Sequence, residues 1–138
     1  KVAGLVFGDP QALADLNAIT WPAVGAEIAR RLSDEAESDH VVILDIPLLV
    51  ESGRDNVAGL IVVDCPEEVA LQRLVAERGM DPDDVRRRMA AQASREERLA
   101  RADLVIDNSG DEGALDDEVA RAWSWIESLS AQSSTGVS

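Results

Sequence analysis

Arginine residues are concentrated in one stretch of an otherwise acidic sequence. The 138 residues carry a formal net charge of −14, with 27 Asp and Glu against 13 Lys and Arg. Most of the basic residues fall between residues 71 and 110, namely Arg73, Arg78, Arg86, Arg87, Arg88, Arg95, Arg98 and Arg101. Guanidinium groups bind phosphate oxygens bidentately and neutralise charge that develops on a transferring phosphoryl group. The pattern therefore predicts a polyphosphate site in this stretch.

The same arginines have a second interpretation, as a solvated helix face with ion pairs to acidic residues three or four positions away. This interpretation is at least as strong as phosphate binding for Arg86, Arg87 and Arg101. Arg88, Gln92 and Arg95 are spaced by four and three residues, so a continuous helix would carry them on one polar stripe. That stripe favours a ligand site for the segment as a whole. Arg121, outside the segment, is expected to be solvated or ion-paired.

The composition bounds the class of protein. A length of 138 residues with 46% hydrophobic content matches a single domain, and 3% aromatic content requires an aliphatic core. With one cysteine, Cys65, no internal disulfide can form, which favours a reducing compartment and hence the cytoplasm. No apolar run has the length of a membrane span. The net negative charge would repel nucleic acid and anionic membranes, so neither is expected as a partner.

Strand and helix signals alternate along the chain. Continuous apolar runs predict three buried strands of a parallel sheet, at residues 41–46, 60–65 and 103–108. Helices are predicted over residues 9–19, 22–32, 66–78 and 111–129, followed by a frayed tail at 131–138. Asp9 and Asp81 each precede a proline and are expected to be helix N-caps. The alternation predicts an α/β fold.

Four ordered motifs carry a resemblance to a known family. They are VFGDPQALADLNAITWPAVG at residues 6–25, DIPLLVESG at 45–53, QRLVAERG at 72–79 and AAQASREERLARADLVIDNSG at 90–110. Together they resemble dephospho-CoA kinases from about residue 2 to residue 125. The resemblance implies a P-loop NTPase-type α/β fold, a three-layer sandwich with a parallel sheet and a helical lid at about residues 79–100. It also implies transfer of the γ-phosphate of ATP, with Mg²⁺, to the ribose 3′-hydroxyl of dephospho-CoA, the final step of coenzyme A biosynthesis.

The resemblance assigns roles to particular residues. It implies that Arg88 and Arg98, in the lid, stabilise charge during catalysis. Nucleotide binding falls to Arg78, Arg95, Asn108 and Gly110. Acceptor binding falls to Pro47, Leu48, Leu49 and Glu51, and no residue is assigned to a metal. The structural alternatives are a strand-to-helix turn with two core leucines at 47–51, and at 108–110 a turn that uses Asn and Gly for their conformational freedom. ATP and dephospho-CoA are the expected small-molecule partners.

Two features depart from the family pattern. The 138 residues contain no G-x-x-x-x-G-K-[ST] loop for binding phosphates, and Trp21 stands where the resemblance leads one to expect histidine before Pro22. We therefore expect the N-terminal strands and phosphate-binding loop to be absent from this chain, the strands at 41–46 and 60–65 to have unpaired edges, and the chain alone to be inactive. The alternative function is a noncatalytic relative that binds nucleotides or CoA in a regulatory or scaffolding role.

Overall fold

The protein is an α/β structure with a parallel sheet, as the sequence predicts. The computed structural model describes residues 9–53 and 56–134. The elements are α1 (Pro10–Asp34), α2 (Leu49–Ser52), β1 (Ile61–Asp64), α3 (Glu67–Arg78), α4 (Pro82–Ala90), α5 (Arg95–Arg101), β2 (Leu104–Asp107) and α6 (Glu112–Ser134). The chain divides into two compact units, residues 1–45 and residues 46–138. None of the helices among the described residues is long and apolar enough to cross a membrane.

The first unit contains one long helix, α1. Asp9 caps it, because its carboxylate accepts hydrogen bonds from the backbone N–H groups of Gln11 at 2.9 Å and Ala12 at 3.2 Å. The predicted division into two helices at Pro22 is wrong, since Pro22 lies inside α1. Trp21, beside it, is 66% exposed. An internal proline removes one backbone donor, and here the helix continues on both sides of it. Lys1 and the first three residues of the 6–25 motif lie outside the described residues.

Residues 41–46 do not form the predicted strand. Backbone groups become a strand only when they pair with a neighbouring strand. Across residues 9–53 and 56–134 the one ladder that forms joins β1 to β2. The side chains of Val41, Val42 and Ile43 are 42%, 44% and 67% exposed, so the run is not buried in this unit either. An apolar run shows that a segment suits a sheet, and it does not supply the partner.

The second unit is built around the parallel pair of β1 and β2. Ile61 lies opposite Leu104, and the register continues to Asp64 opposite Asp107. Both strands fall inside the predicted runs at 60–65 and 103–108. The core is aliphatic, as expected from the composition, and its buried members are Leu49, Val62, Val85, Ile106 and Ala122. The last helix, α6, packs on β2 and ends at Ser134, beyond the predicted end at residue 129.

Gly59, just before β1, lies against the end of α6. A Cβ atom at Gly59 would overlap the Trp125 ring and come within 3.2 Å of Leu129. We expect Gly59→Ala to lower the free energy of unfolding by about 1–3 kcal/mol, as overpacking does. Gly25 is the matched control, because a Cβ there meets nothing within 4 Å. Gly25→Ala lies inside α1 and should raise stability by up to about 1 kcal/mol. Urea unfolding of both variants tests this, and equal effects would contradict the close packing at Gly59.

Candidate functional site

The carboxyl ends of β1 and β2 lie side by side and form the edge of the candidate site. Open α/β sheets bind their ligands at this edge. Asp64 ends β1 and Asp107 ends β2. The Asn108 N–H donates to the Asp64 carbonyl oxygen at 2.7 Å, which continues the pairing one residue past β2. The loop 108–110 therefore begins at a fixed position on this edge.

The predicted lid consists of two short helices rather than one. Asp81 caps α4 as expected, accepting from the backbone N–H groups of Asp83 at 2.9 Å and Asp84 at 3.1 Å. Ser94 then starts α5 with a capping box, in which its hydroxyl accepts from the Glu97 N–H at 3.2 Å and the Glu97 carboxylate accepts from the Ser94 N–H at 2.8 Å. A new helix begins at this cap.

The break between α4 and α5 corrects one prediction. Arg88 belongs to α4, Arg95 begins α5, and Gln92 lies between the two helices. The single helical stripe of Arg88, Gln92 and Arg95 is therefore wrong. The sequence did contain the contrary signal, because Ser94 and Glu97 have the S-x-x-E spacing of a capping box.

Two of the predicted phosphate-binding arginines lie at one cleft, which we call the arginine cleft. It has a volume of about 230 Å³ and is lined by Leu74, Arg78, Met80, Val85, Arg88, Met89 and Gln92. Neither guanidinium, of Arg78 or of Arg88, makes a hydrogen bond or an ion pair with another described residue. Because no acidic side chain in the described part of the chain neutralises them, both are free to bind an anion.

Arg95 lies at the carboxyl end of β1, where it pairs with Asp64. Its Nε lies 2.9 and 3.0 Å from the two carboxylate oxygens of Asp64, and its Nη2 lies 2.6 Å from one of them. Asp64 is 8% exposed, whereas the Arg95 side chain is 45% exposed. The hydrogen bonds with Asp64 raise the pKa of Arg95 above its usual value. Nη1 forms no hydrogen bond within the described residues, so it remains available to a ligand at the sheet edge.

The other lid arginines have protein partners. Arg98 donates to the Ala93 carbonyl oxygen at 2.8 Å and so closes the turn before α5. The solvated-face interpretation is confirmed for Arg86 and Arg87, since each pairs with an acid three residues earlier on α4, Asp83 and Asp84 respectively. Arg101 differs from both, because it donates across the fold to the Val50 carbonyl oxygen at 3.1 Å.

The predicted acceptor loop forms a turn followed by α2. Pro47 is exposed, and Leu48 is 47% exposed. Leu49 is only 7% exposed, which fits the structural alternative of a core leucine and limits what it can offer to a ligand. The Glu51 carboxylate accepts a hydrogen bond from the Ala93 N–H at 2.7 Å. Glu51 therefore attaches α2 to the segment that separates the two lid helices.

Arg73 binds the loop 108–110, and no individual role was predicted for it from the sequence. Its Nη1 donates to the Asn108 carbonyl oxygen at 2.6 Å, and its Nη2 donates to the Gly110 carbonyl oxygen at 2.8 Å. Within the loop, the Ser109 hydroxyl and N–H bind the Asp107 carboxylate and lower the pKa of Asp107. Arg73 is 35 residues from Asn108, so no local pattern signals the contact.

Arg121 is ion-paired, as expected, and it also binds the sheet. Its Nη2 lies 2.5 Å from Glu118 Oε2 and donates to the Val105 carbonyl oxygen. The Glu118 carboxylate in turn accepts from the Asp107 N–H at 3.0 Å. The hydrogen bond from Arg121, and after it that from Asp107, lower the pKa of Glu118. This side-chain pair joins α6 to β2.

We expect Arg121→Ala to lower the melting temperature by about 3 °C, because it breaks the bond to the β2 backbone. Any turnover that depends on the arginine cleft should stay within about twofold, since Arg121 does not line that cleft. Arg31→Ala is the control, because the partner of Arg31 among the described residues is Glu27 in its own helix. Thermal melts beside steady-state kinetics test the prediction. An unchanged melting temperature in Arg121→Ala would show that the link to β2 adds no stability.

Solved structures with a similar fold define the class of protein. A crystal structure of a protein from Thermus thermophilus superposes with a TM-score of 0.75 at 32% identity, covering 91% of this chain and 65% of that one. The dephospho-CoA kinase from Campylobacter jejuni gives a TM-score of 0.63 at 24% identity, covering 91% and 63%. The fold is therefore an α/β fold of the P-loop kinase type.

Sequence comparison places the chain in a particular family. The model of the family described as dephospho-CoA kinase matches residues 1–113. The dephospho-CoA kinase of Thermobifida fusca is 46% identical over 124 residues, which are 89% of this chain and 62% of that protein. The one from Streptomyces avermitilis is 49% identical over 124 residues, 89% and 60% of the two chains. The chain belongs to the dephospho-CoA kinase family. It spans about 60% of the length of these relatives.

Proposed function

We propose that the protein transfers the γ-phosphate of ATP to the ribose 3′-hydroxyl of dephospho-CoA, which yields coenzyme A. The observation that carries the proposal is the arginine cleft, in which the guanidiniums of Arg78 and Arg88 have no acidic partner among the described residues. In a chain with a net charge of −14, two unneutralised arginines at one cleft favour a strongly anionic ligand such as a triphosphate. Membership of the family supports this chemistry.

The lid arginines act on the charge of the transferring group. Arg88 approaches the phosphates from α4, and Arg78 does so from the end of α3. Arg95 presents its free Nη1 while Asp64 fixes the plane of its guanidinium. Closure of such a lid excludes water and strengthens these interactions in the transition state. Arg98 contributes by shaping the turn at Ala93 in addition to its charge.

Pro47, Leu48 and Glu51 border the acceptor, dephospho-CoA, and Leu49 supports them from the core. Mg²⁺ enters as part of the ATP substrate. In residues 9–53 and 56–134 no three His, Cys, Asp or Glu side chains converge to hold an ion. Mg²⁺ is usually bound through one or two carboxylates and the phosphates of its substrate, and none of the steps above depends on an ion held by the protein alone.

We place the protein in the cytoplasm, with no nucleic acid or membrane partner, and assign residues 1–138 to part of a single dephospho-CoA-kinase-like domain with its lid at about 79–100. The single cysteine and the net negative charge support the location and the absence of these partners. The position of α4 and α5 supports the limits of the lid.

The direct test is product formation by the full-length gene product. Purified protein is incubated with ATP and dephospho-CoA, and 3′-phosphorylated product is measured by mass spectrometry, with adenosine as the acceptor control. The proposal expects ATP-dependent conversion of dephospho-CoA. Tight binding of ATP or CoA without any conversion would instead support the noncatalytic alternative.

The 138-residue chain by itself is expected to show no phosphotransfer. Its sequence contains no G-x-x-x-x-G-K-[ST], the loop whose amides and lysine hold the γ-phosphate in line with the acceptor. The same assay with the isolated 138 residues checks this. Product above the enzyme-free control would overturn the expectation.

A further inference from the structure

We propose that Arg73 is a positioning residue that sets the preference for adenine nucleotides. The inference rests on the proposed function, since it concerns the loop 108–110 that is assigned to the nucleotide. Arg73 lies on α3 and is only partly buried, and its guanidinium meets that loop by three hydrogen bonds. Two go to the carbonyl oxygens of Asn108 and Gly110, at 2.6 and 2.8 Å. The third goes from Nη1 to the Asn108 side-chain oxygen at 3.3 Å.

The third contact fixes the orientation of the Asn108 amide. A guanidinium has only donors, so the amide oxygen must face Arg73 and the amide nitrogen must point away from it. Without Arg73 the amide could turn over, and the group offered to a ligand would change from a donor to an acceptor. Arg73 therefore selects which half of the Asn108 side chain is free.

The backbone of the loop is used in the same selective way. Arg73 donates to the carbonyl oxygens of Asn108 and Gly110. The Asn108 N–H donates to the Asp64 carbonyl oxygen, and the Ser109 N–H donates to the Asp107 carboxylate. Within the described residues this leaves three polar groups of the loop without a hydrogen bond. They are the Ser109 carbonyl oxygen, the Gly110 N–H and the Asn108 side-chain nitrogen.

These free groups match adenine better than guanine. Adenine presents an amino donor beside ring-nitrogen acceptors, and an acceptor carbonyl next to N–H donors satisfies both. Guanine in the same orientation presents an oxygen acceptor in place of the amino group, which would leave the Ser109 carbonyl facing another acceptor. A polar group left unpaired on binding costs affinity and so produces discrimination.

An arginine is suited to this task and a lysine is not. The two carbonyl oxygens of Asn108 and Gly110 are bound by two different nitrogens of one rigid fork. A lysine ammonium is a single nitrogen on a flexible stem, so it cannot reproduce this geometry of two nitrogens held apart in one plane. Because both terminal nitrogens of Arg73 are occupied by the protein, Arg73 differs from Arg88 and acts on the ligand through the loop.

The test measures nucleotide preference in the full-length gene product. Calorimetry gives the Kd of ATP and of GTP for wild type, Arg73→Ala, Arg73→Lys and Arg73→Gln, and steady-state kinetics with dephospho-CoA gives kcat and KM for both nucleotides. Arg86→Ala is the matched control, since Arg86 is exposed and, among residues 9–53 and 56–134, pairs only with Asp83 on its own helix. Melting temperatures of all variants are recorded, and every assay is run well below them.

We expect Arg73→Ala to raise the Kd and KM of ATP about tenfold, with kcat within about threefold of wild type. The ATP-over-GTP preference should fall at least about fivefold, Arg73→Lys should not restore it, and Arg86→Ala should match wild type. If Arg73→Ala does not fold, we expect the same changes in Kd, KM and nucleotide preference for Arg73→Gln, with a smaller magnitude.

A purely structural role gives a different result. It would lower the fraction of active protein, and hence kcat, for both nucleotides alike. An ATP-over-GTP ratio of Kd and KM that is unchanged in Arg73→Ala would therefore overturn the inference. A wild-type protein that binds ATP and GTP equally would overturn it as well, while leaving the kinase proposal standing. A wild-type protein that prefers ATP but forms no coenzyme A would refute the kinase proposal, and the Kd ratios would still decide the role of Arg73.

Discussion

Replacing Arg88 by alanine in the full-length gene product is expected to lower turnover at least about tenfold while leaving the melting temperature nearly unchanged. Arg88 lines the arginine cleft and has no hydrogen bond to the rest of the described chain, so its removal costs the fold little. A guanidinium that contacts the growing charge stabilises the transition state and so lowers the barrier, without adding to the stability of the folded protein. Steady-state kinetics with dephospho-CoA and ATP, beside a thermal melt, measures both quantities.

The neighbouring Arg87 supplies the control for this experiment. It has the same side chain on the same helix, but it pairs with Asp84 and is 69% exposed. Arg87→Ala should therefore leave turnover within about twofold of wild type. Normal turnover in Arg88→Ala would show that the arginine cleft is a solvated surface.

The variant Arg98→Ala tests whether Arg98 supports the fold of the lid in addition to supplying charge for turnover. Its guanidinium binds the Ala93 carbonyl oxygen, and the adjacent Ala93 N–H binds Glu51. We expect Arg98→Ala to lower turnover at least about tenfold as well. In contrast to Arg88→Ala, it should also lower the melting temperature, since the turn before α5 loses a bond. The same two measurements compare the variants, and an unaltered melting temperature would contradict the structural part of this role.

Features of the fold that depend on adjacent residues were predictable from the sequence. Asp9 and Asp81 each precede a proline and cap the following helix, because a cap is decided within three or four residues. The two observed strands fall inside apolar runs for a similar reason. The run at 41–46 is similarly apolar but forms no strand, since a strand also requires a partner, which is a property of the whole sheet.

The candidate site was less predictable, because its contacts join distant parts of the chain. The approach of Arg78 and Arg88 depends on how α4 folds back on α3, and the stripe that was predicted for Arg88 and Arg95 is broken by the cap at Ser94. Glu51 meets Ala93 across 42 residues, and Arg73 meets Asn108 across 35. Residue type indicated a candidate phosphate site between residues 71 and 110, while the partners of each arginine were set by the tertiary fold.

The pair of Asp64 and Arg95 should show an asymmetric response to mutation. Asp64 is 8% exposed, so removal of Arg95 leaves a carboxylate at the end of β1 with little access to water. An unsatisfied buried group of this kind costs on the order of 1–3 kcal/mol. Removal of Asp64 leaves Arg95, whose side chain is 45% exposed and remains solvated. We therefore expect Arg95→Ala to destabilise the full-length protein more than Asp64→Asn does.

A double-mutant cycle separates this effect from nucleotide binding. In Asp64→Asn/Arg95→Ala the buried charge is gone, so the double variant should be more stable than Arg95→Ala alone. Its affinity for ATP should not recover, because the free Nη1 of Arg95 is missing from both variants. Urea unfolding gives the stabilities, and calorimetry with ATP gives the affinities. If the double variant were less stable than Arg95→Ala, the cost would lie in lost contacts rather than in a stranded carboxylate. If Arg95→Ala bound ATP as tightly as wild type, Arg95 would serve the fold alone.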